Sequence, residues 1–248
     1  MNQKIDPSEY KPGYYNKKRL NTKEWLEGNI QKWMQTQAEK KPAATPEELP
    51  ASICFSREIG VGALEIADAL AQILNFRVID REIIEHMAIQ ANLTEKVIEM
   101  YDERYPGKIN ELFSMLTLDK TFIKSDYARQ LAKTVAALSG MEPTIFVGRG
   151  THLILPRQRI LSVRLVCSKE FRLNRLAGLI DSSRSDLEKK VRIIDSEQND
   201  FFKTVYQKKT PEKEEFDLVI YRDFFDDAAK IARIIACAYE QRFGKTSA

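Results

Sequence analysis

One segment constrains the fold more than any other: residues 52–74, SICFSREIGVGALEIADALAQIL. An apolar run ends at Ser56, Gly60 and Gly62 make a turn, and a helix opens near Ala63 with Ile66, Ala67, Leu70, Ala71 and Leu74 on its inner face. A strand delivered through a glycine turn into a helix is the start of a parallel α/β unit. It is also an anion cradle, because turn amides and the unpaired amides of a first helical turn converge where the helix dipole favours negative charge. Ser56, Arg57, Gly60, Val61, Gly62, Ala63 and Leu64 are therefore candidate phosphate-binding positions, and the missing glycine Cβ atoms are expected to let a ligand approach closely.

The rest of the chain extends this unit. Short apolar runs follow from residue 76 (FRVI), 144 (TIFVG), 161 (LSVRLVC) and 216 (FDLVIY), separated by amphipathic stretches. With ASICFS from residue 51 they give five strands of a parallel sheet covered by helices. A helical block occupies approximately residues 81–140 between the second and third runs, and the last run feeds a helix with Ala228, Ile231, Ala232, Ile234, Ile235 and Ala238 as its apolar positions. The fold class is α/β, with the sheet domain at 51–248. Residues 1–50 form an N-terminal extension: an irregular arm to about residue 20, an amphipathic helix capped by Asn21 and Glu24, and a linker over 39–50. Trp25, Leu26, Ile30, Trp33 and Met34 share one face of that helix. The stripe containing Trp25 and Trp33 reads as a face docked on the parent domain or as a homodimer or protein-partner contact.

Composition narrows the function classes. A chain that is 43% hydrophobic and 30% charged can build a core, which excludes a disordered or low-complexity protein. The 39 basic and 36 acidic residues nearly cancel, so no global field attracts a nucleic-acid backbone, and an anion site must be built locally. Cys54, Cys167 and Cys237 are widely spaced, with only two histidines to join them, which argues against a disulfide scaffold or a zinc site. Cys54 and Cys167 have apolar neighbours and read as small buried hydrophobes. The polar amino terminus carries no apolar targeting segment and no stretch approaches membrane-span length, so a cytoplasmic protein without a membrane partner is expected.

Against the pattern G-x-x-x-x-G-K-[ST], Arg57 takes the first glycine position, Gly62 the second, and Ala63 stands where lysine belongs. The longer pattern SREIGVGALEIADALAQILNFRVIDREIIEHMA, followed by TIFVGRGTHLIL, LSVRLVCSKEFRLNRL and EEFDLVI, resembles the cytidylate kinase-like family of P-loop proteins over most of residues 51–236. That resemblance implies a P-loop kinase fold: a five-stranded parallel sheet with helices on both faces, a helical acceptor insert at about 81–140 and a lid at about 177–212. It implies ATP with Mg²⁺ as donor and a nucleoside monophosphate, CMP by default, as acceptor. Here the loop is degenerate. Val61, Ala63 and Leu64 replace a serine, a glycine and a basic residue, and Gln198 closes Asp195-Ser-Glu-Gln198 where the family has Asp-x-x-Arg.

The cations that remain are the candidate catalytic residues. Arg57 neutralises donor phosphates in this reading, and Arg149 in Gly148-Arg149-Gly150 holds the acceptor phosphate. Arg172 and Arg175, three apart on one helix face, follow the transferring charge. Asp80 and Arg81 end the second strand beside the acceptor, Asp80 as a ligand to sugar or base or as a helix cap. His86 reads as a helix residue outside the chemistry, and His152 as a residue of the cleft wall. Two readings stay open: a nucleotide-binding phosphotransferase, and a catalytically degenerate relative that binds nucleotide or a partner without turnover.

Overall fold

The computed structural model describes residues 4–13, 15, 50–90, 95, 98–99 and 125–244. The tryptophan-bearing stripe and almost all of the 39–50 linker lie outside the described residues, as does residues 100–124 of the helical block. Five strands form one sheet, β1 Ser52–Arg57, β2 Arg77–Asp80, β3 Thr144–Val147, β4 Ile160–Val166 and β5 Leu218–Tyr221, in the order β2-β3-β1-β4-β5. Every pairing is parallel. Among the described residues, the helices that frame the sheet are α1 Ala63–Leu74, α2 Arg81–Ile89, α3 Asp126–Met141, α4 Lys169–Leu179, α5 Arg184–Tyr206 and α6 Ala228–Phe243.

β1 is central and buried along its whole length, as a strand covered on both faces must be. Its side chains alternate between two cores. Ile53 and Phe55 pack with α1 and α6, while Cys54 faces the opposite core with α2, α3 and the end of α5. Burial raises the thiols of Cys54 and Cys167 to about 12, which makes both inert hydrophobes. Ile234 departs from its expected place: on α6 the buried positions are Ala228, Ile231, Ala232, Ile235, Ala236 and Tyr239, and Ile234 is 42% exposed. From Ile231 the buried face continues to its i+4 neighbour Ile235, and Ile234, at i+3, falls outside it.

Polar caps set the helix starts at the carboxyl ends of the strands. Asp80 accepts from the Ile83 amide at 3.1 Å, Ser168 from Phe171 at 3.1 Å, and Asp227 from Ala229 at 2.8 Å. Because β1 is flanked by β3 on one side and β4 on the other, the connections diverge at its carboxyl end and open a crevice there. A third apolar cluster lies beyond that edge. It joins Ile59 of the glycine loop to Leu173, Leu176 and Leu187 of α4 and α5, and to Tyr10 of the N-terminal arm.

The described arm residues form a strap. Ile5 pairs with Ile180, its amide donating to Leu179 O at 2.8 Å and its carbonyl accepting from Asp181 at 3.1 Å. Lys190 donates to the Pro7 carbonyl, Lys11 pairs with Glu82 at 3.2 Å, and the Tyr15 hydroxyl donates to Asp68. No helix among the described residues is long and apolar enough to cross a membrane.

Candidate active site

Gly60 and Gly62 sit at φ +83° and +80°, a left-handed conformation that glycine adopts without penalty, and Gly62 precedes α1 without any side-chain cap. Among the described residues, none of the amides from Gly60 to Glu65 donates a backbone hydrogen bond. These are the amides expected from the sequence to form a phosphate cradle. The use of the glycine space differs from expectation, however. A Cβ on Gly60 would lie 3.2 Å from the Arg172 Cα, and one on Gly62 would lie 3.0 Å from the Arg175 guanidinium. In this conformation the missing Cβ atoms admit helix α4, not a ligand. Val61, Ala63 and Leu64 turn their side chains into the protein and can offer only backbone.

Arg57 ends β1 and is 5% exposed, with no hydrogen-bond partner for Nη1. Burial, and then the nearby positive charge of Arg81, pull its pKa down to about 10. Arg149 follows β3 in a turn where Gly148, Arg149 and Gly150 all have positive φ, at +93°, +54° and +65°. For Arg149 that is strained backbone, costing about 1–2 kcal/mol. Tyr206 of α5 holds the turn by donating to the Arg149 carbonyl, and its ring lies 2.6 Å from where a Gly150 Cβ would be. The Arg149 guanidinium is ion-paired to Glu85 and stacks 4.1 Å above the Phe201 ring, yet its Nε has no partner. Burial, then Arg81 and Arg57, bring its pKa down to about 9. Arg57, Arg81 and Arg149 therefore converge at the carboxyl ends of β1, β2 and β3, near enough to disfavour one another's charge. Glu85 ties two of them together, accepting from Arg81 at 3.2 Å as well.

A cleft of about 260 Å³ opens beside Arg57, between the sheet edge and α5, with Arg164, Arg172, Gln198, Asn199 and Thr210 in its wall. Arg164 lies in β4 opposite Ser56, and donates to the Ser56 hydroxyl at 2.7 Å. Ser56 thus holds a wall arginine in place. Arg172 donates to Ile59 O at 2.8 Å and grips both oxygens of Asp195 at 2.6 and 2.8 Å. Arg175 pairs with Glu65 at 2.8 Å. The two expected lid arginines are brought to the loop, but each is already neutralised by a carboxylate. Gln198 donates to the Arg57 carbonyl at 3.2 Å, fixing the loop as a neutral hydrogen-bonding residue.

Other sequence expectations are resolved by packing. Asp80 is the α2 cap. His152 does not line the cleft: it is 3% exposed, bonds Glu215 at 3.2 Å, and lies 4.8 Å from the Phe216 ring centroid. Burial lowers its pKa against the raising effect of that carboxylate, so the imidazole is neutral. Three site residues escaped the sequence reading. Glu85 is one turn into α2, Arg164 is hidden in an apolar strand, and Arg222 follows β5. Arg222 is 4% exposed, its Nε and Nη1 unpartnered, 5.4 Å above the Phe171 ring.

The donor set suits phosphate: buried guanidiniums with unmet N–H groups and, among the described residues, a turn whose amides donate no backbone hydrogen bond. It holds metal poorly by itself, since no group of three or more His, Cys, Asp or Glu among the described residues could bind an ion. Magnesium typically enters such sites through nucleotide phosphates and one or two carboxylates. Glu65, on the first turn of α1, is a carboxylate beside the glycine loop and is paired with Arg175.

A five-stranded parallel sheet in the order β2-β3-β1-β4-β5, with a glycine turn leading from its central strand into a helix, defines a P-loop kinase fold. The profile of the cytidylate kinase-like family matches residues 52–223, and the chain belongs to that family. It is a nucleotide kinase-like protein. Among solved structures, an uncharacterized protein from Eubacterium ventriosum ATCC 27560 superposes with a TM-score of 0.59 at 17% identity, over 77% of this chain and 98% of that one. This likeness concerns the fold alone. Shikimate kinase from Bacteroides thetaiotaomicron gives a TM-score of 0.41 at 14% identity, over 77% and 98% of the two chains. Shikimate kinase from Aquifex aeolicus gives 0.36 at 12%, over 78% and 99%. No curated protein matches the sequence.

Proposed function

We propose that the protein transfers the γ-phosphoryl group of ATP to a nucleoside monophosphate, with CMP the first acceptor to test. One observation carries this reading: Arg57 and Arg149 are buried, positively charged and incompletely hydrogen-bonded at one edge of the sheet, with Arg81 beside them. A buried charge without its full complement of partners costs stability, and an anionic ligand removes that cost. Arg149 and Arg81 bind the acceptor phosphate, and Arg57 stands between acceptor and glycine loop. The loop amides hold the donor phosphates. An acceptor phosphate oxygen attacks the γ-phosphorus, the bond to the β–γ bridging oxygen breaks, and ADP leaves. The acceptor is already anionic, so positioning and charge neutralisation suffice without a general base. Glu65 would be the protein carboxylate for a magnesium ion brought in on the donor phosphates, and that ion would add charge neutralisation. Asn199 and Thr210 offer the neutral donors and acceptors needed to read a base.

A second reading has its own support. Arg172 and Arg175 are committed to Asp195 and Glu65, and Ala63 occupies the lysine position, so the resting loop has no uncommitted cation except Arg57 among the described residues. A protein in that state binds nucleotide without turnover. Coupled ADP release measured with CMP, UMP, dCMP and AMP separates the two. Acceptor-dependent turnover supports the kinase. Thermal stabilisation by nucleotides without ADP release supports the binder, and no response to any nucleotide contradicts both.

A further inference from the structure

The N-terminal strap lies outside the matched family region and runs across the glycine loop, from the lid to α1 and α2. Pro12 and Gly13 face Gly60 and Gly62 across a gap of only about 20 Å³. That volume admits about one water molecule, far less than a phosphoryl group with its oxygens. Gly13 lies at φ +105°, and a Cβ there would sit 3.2 Å from Leu64 Cδ1, so the strap presses on the first turn of α1. Tyr10 is 7% exposed, packs in the cluster of Ile59, Leu173 and Leu176, and lies within the electrostatic reach of Arg57 and Arg175. The strap thus covers the amides that would receive donor phosphate and sets an aromatic ring beside the cations that would neutralise it.

We propose that this strap is a built-in plug of the donor site: a nucleoside triphosphate reaches the loop only when residues 5–13 lift away, while a monophosphate still binds at Arg149 and Arg81. The proposal rests on the reading of the loop as the donor site. Among the described residues, the strap is held by a short backbone bridge, exposed or half-buried polar pairs and one buried tyrosine, contacts of the kind that open easily. Ligand that binds only the open form loses apparent affinity in proportion to the open fraction. Weakening the strap therefore tightens triphosphate binding and leaves monophosphate binding alone.

The experiment uses the full chain and two variants outside the site. Ile5→Pro removes the amide that donates to Leu179, and Tyr10→Ser removes the buried ring. Calorimetry with MgATP and with CMP is expected to show ATP binding tightened about tenfold or more in each folded variant, with CMP affinity changed less than about twofold. Hydrogen exchange on the unmodified protein gives an independent reading: saturating ATP strips protection from the amides of Ile5 and Tyr10. Unchanged or weaker ATP binding in the variants, or ATP bound with strap protection intact, overturns the plug and leaves the kinase reading standing. ATP binding to none of the three proteins overturns both.

Discussion

The two sides of Arg57 are built differently. On the glycine-loop side the two arginines of α4 have internal counter-charges, Arg172 with Asp195 and Arg175 with Glu65, and the strap covers the turn. On the Arg149 side one carboxylate, Glu85, is shared between Arg149 and Arg81, burial and mutual repulsion push Arg57 and Arg149 below their ordinary pKa, and the Arg57 Nη1 and Arg149 Nε lack partners. Pairing a charge internally makes a conformation stable without ligand. Leaving it buried and under-bonded sacrifices stability that only a ligand restores. In the proposed function, the half of the site at Arg149 is the half ready for ligand and the half at the loop is the one that rearranges.

That contrast breaks most visibly at Arg149. Arg149→Ala is expected to lower kcat/KM for the acceptor by about 100-fold or more, and Arg149→Lys to recover little, because a lysine lacks the planar fork that grips phosphate. Equal activity in Arg149→Lys would reduce the role of this residue to simple charge. Next in size is Gly150→Ala, which forces an L-residue to φ +65° and a Cβ into the Tyr206 ring. The urea midpoint should fall by the equivalent of about 2 kcal/mol. An unperturbed midpoint would show that the turn is not held as described. Arg57→Met should act in the opposite direction. Removing an under-bonded buried charge is expected to stabilise the ligand-free protein by about 1 kcal/mol, or ~2–4 °C in Tm, while abolishing stabilisation by nucleotide.

The smallest effect concerns the paired, non-catalytic His152. Its folded pKa lies below the ordinary 6.5, so the unfolded chain takes up a proton first as pH falls. The stability its neutral form contributes is complete above about 6.5 and is lost as pH drops through that value, with Glu215, Lys208, Arg157 and Arg164 as the charges around it. His152→Gln should flatten the Tm profile between pH 7 and pH 5.5, by a few degrees at most. A similar change in kcat/KM would contradict its placement away from the cleft.

The sheet was legible because parallel strands announce themselves as apolar runs, and all five fall where SICFSR, RVID, TIFV, ILSVRLV and LVIY stand. Gly148-Arg149-Gly150 was legible because glycines flanking a charge at a strand end have few other uses. Arg164 was not, since its partner Ser56 is a neighbour only through the β1–β4 register; its one signal is a lone arginine inside LSVRLVC. Arg222 has the same signal as Arg149, a cation just after a strand, without the glycines. That the space above Gly60 and Gly62 is taken by α4 and the strap depends on segments more than a hundred residues from the loop on one side and some fifty on the other, and no local pattern encodes it.

The most direct measurement is calorimetric titration of the unmodified protein with CMP and with cytidine, repeated on Arg149→Ala. If buried arginines at the sheet edge form a monophosphate site, CMP binds at least about 100-fold more tightly than cytidine, and the difference collapses when Arg149 is removed. Equal binding of CMP and cytidine, or a preference for CMP that survives in Arg149→Ala, would contradict it.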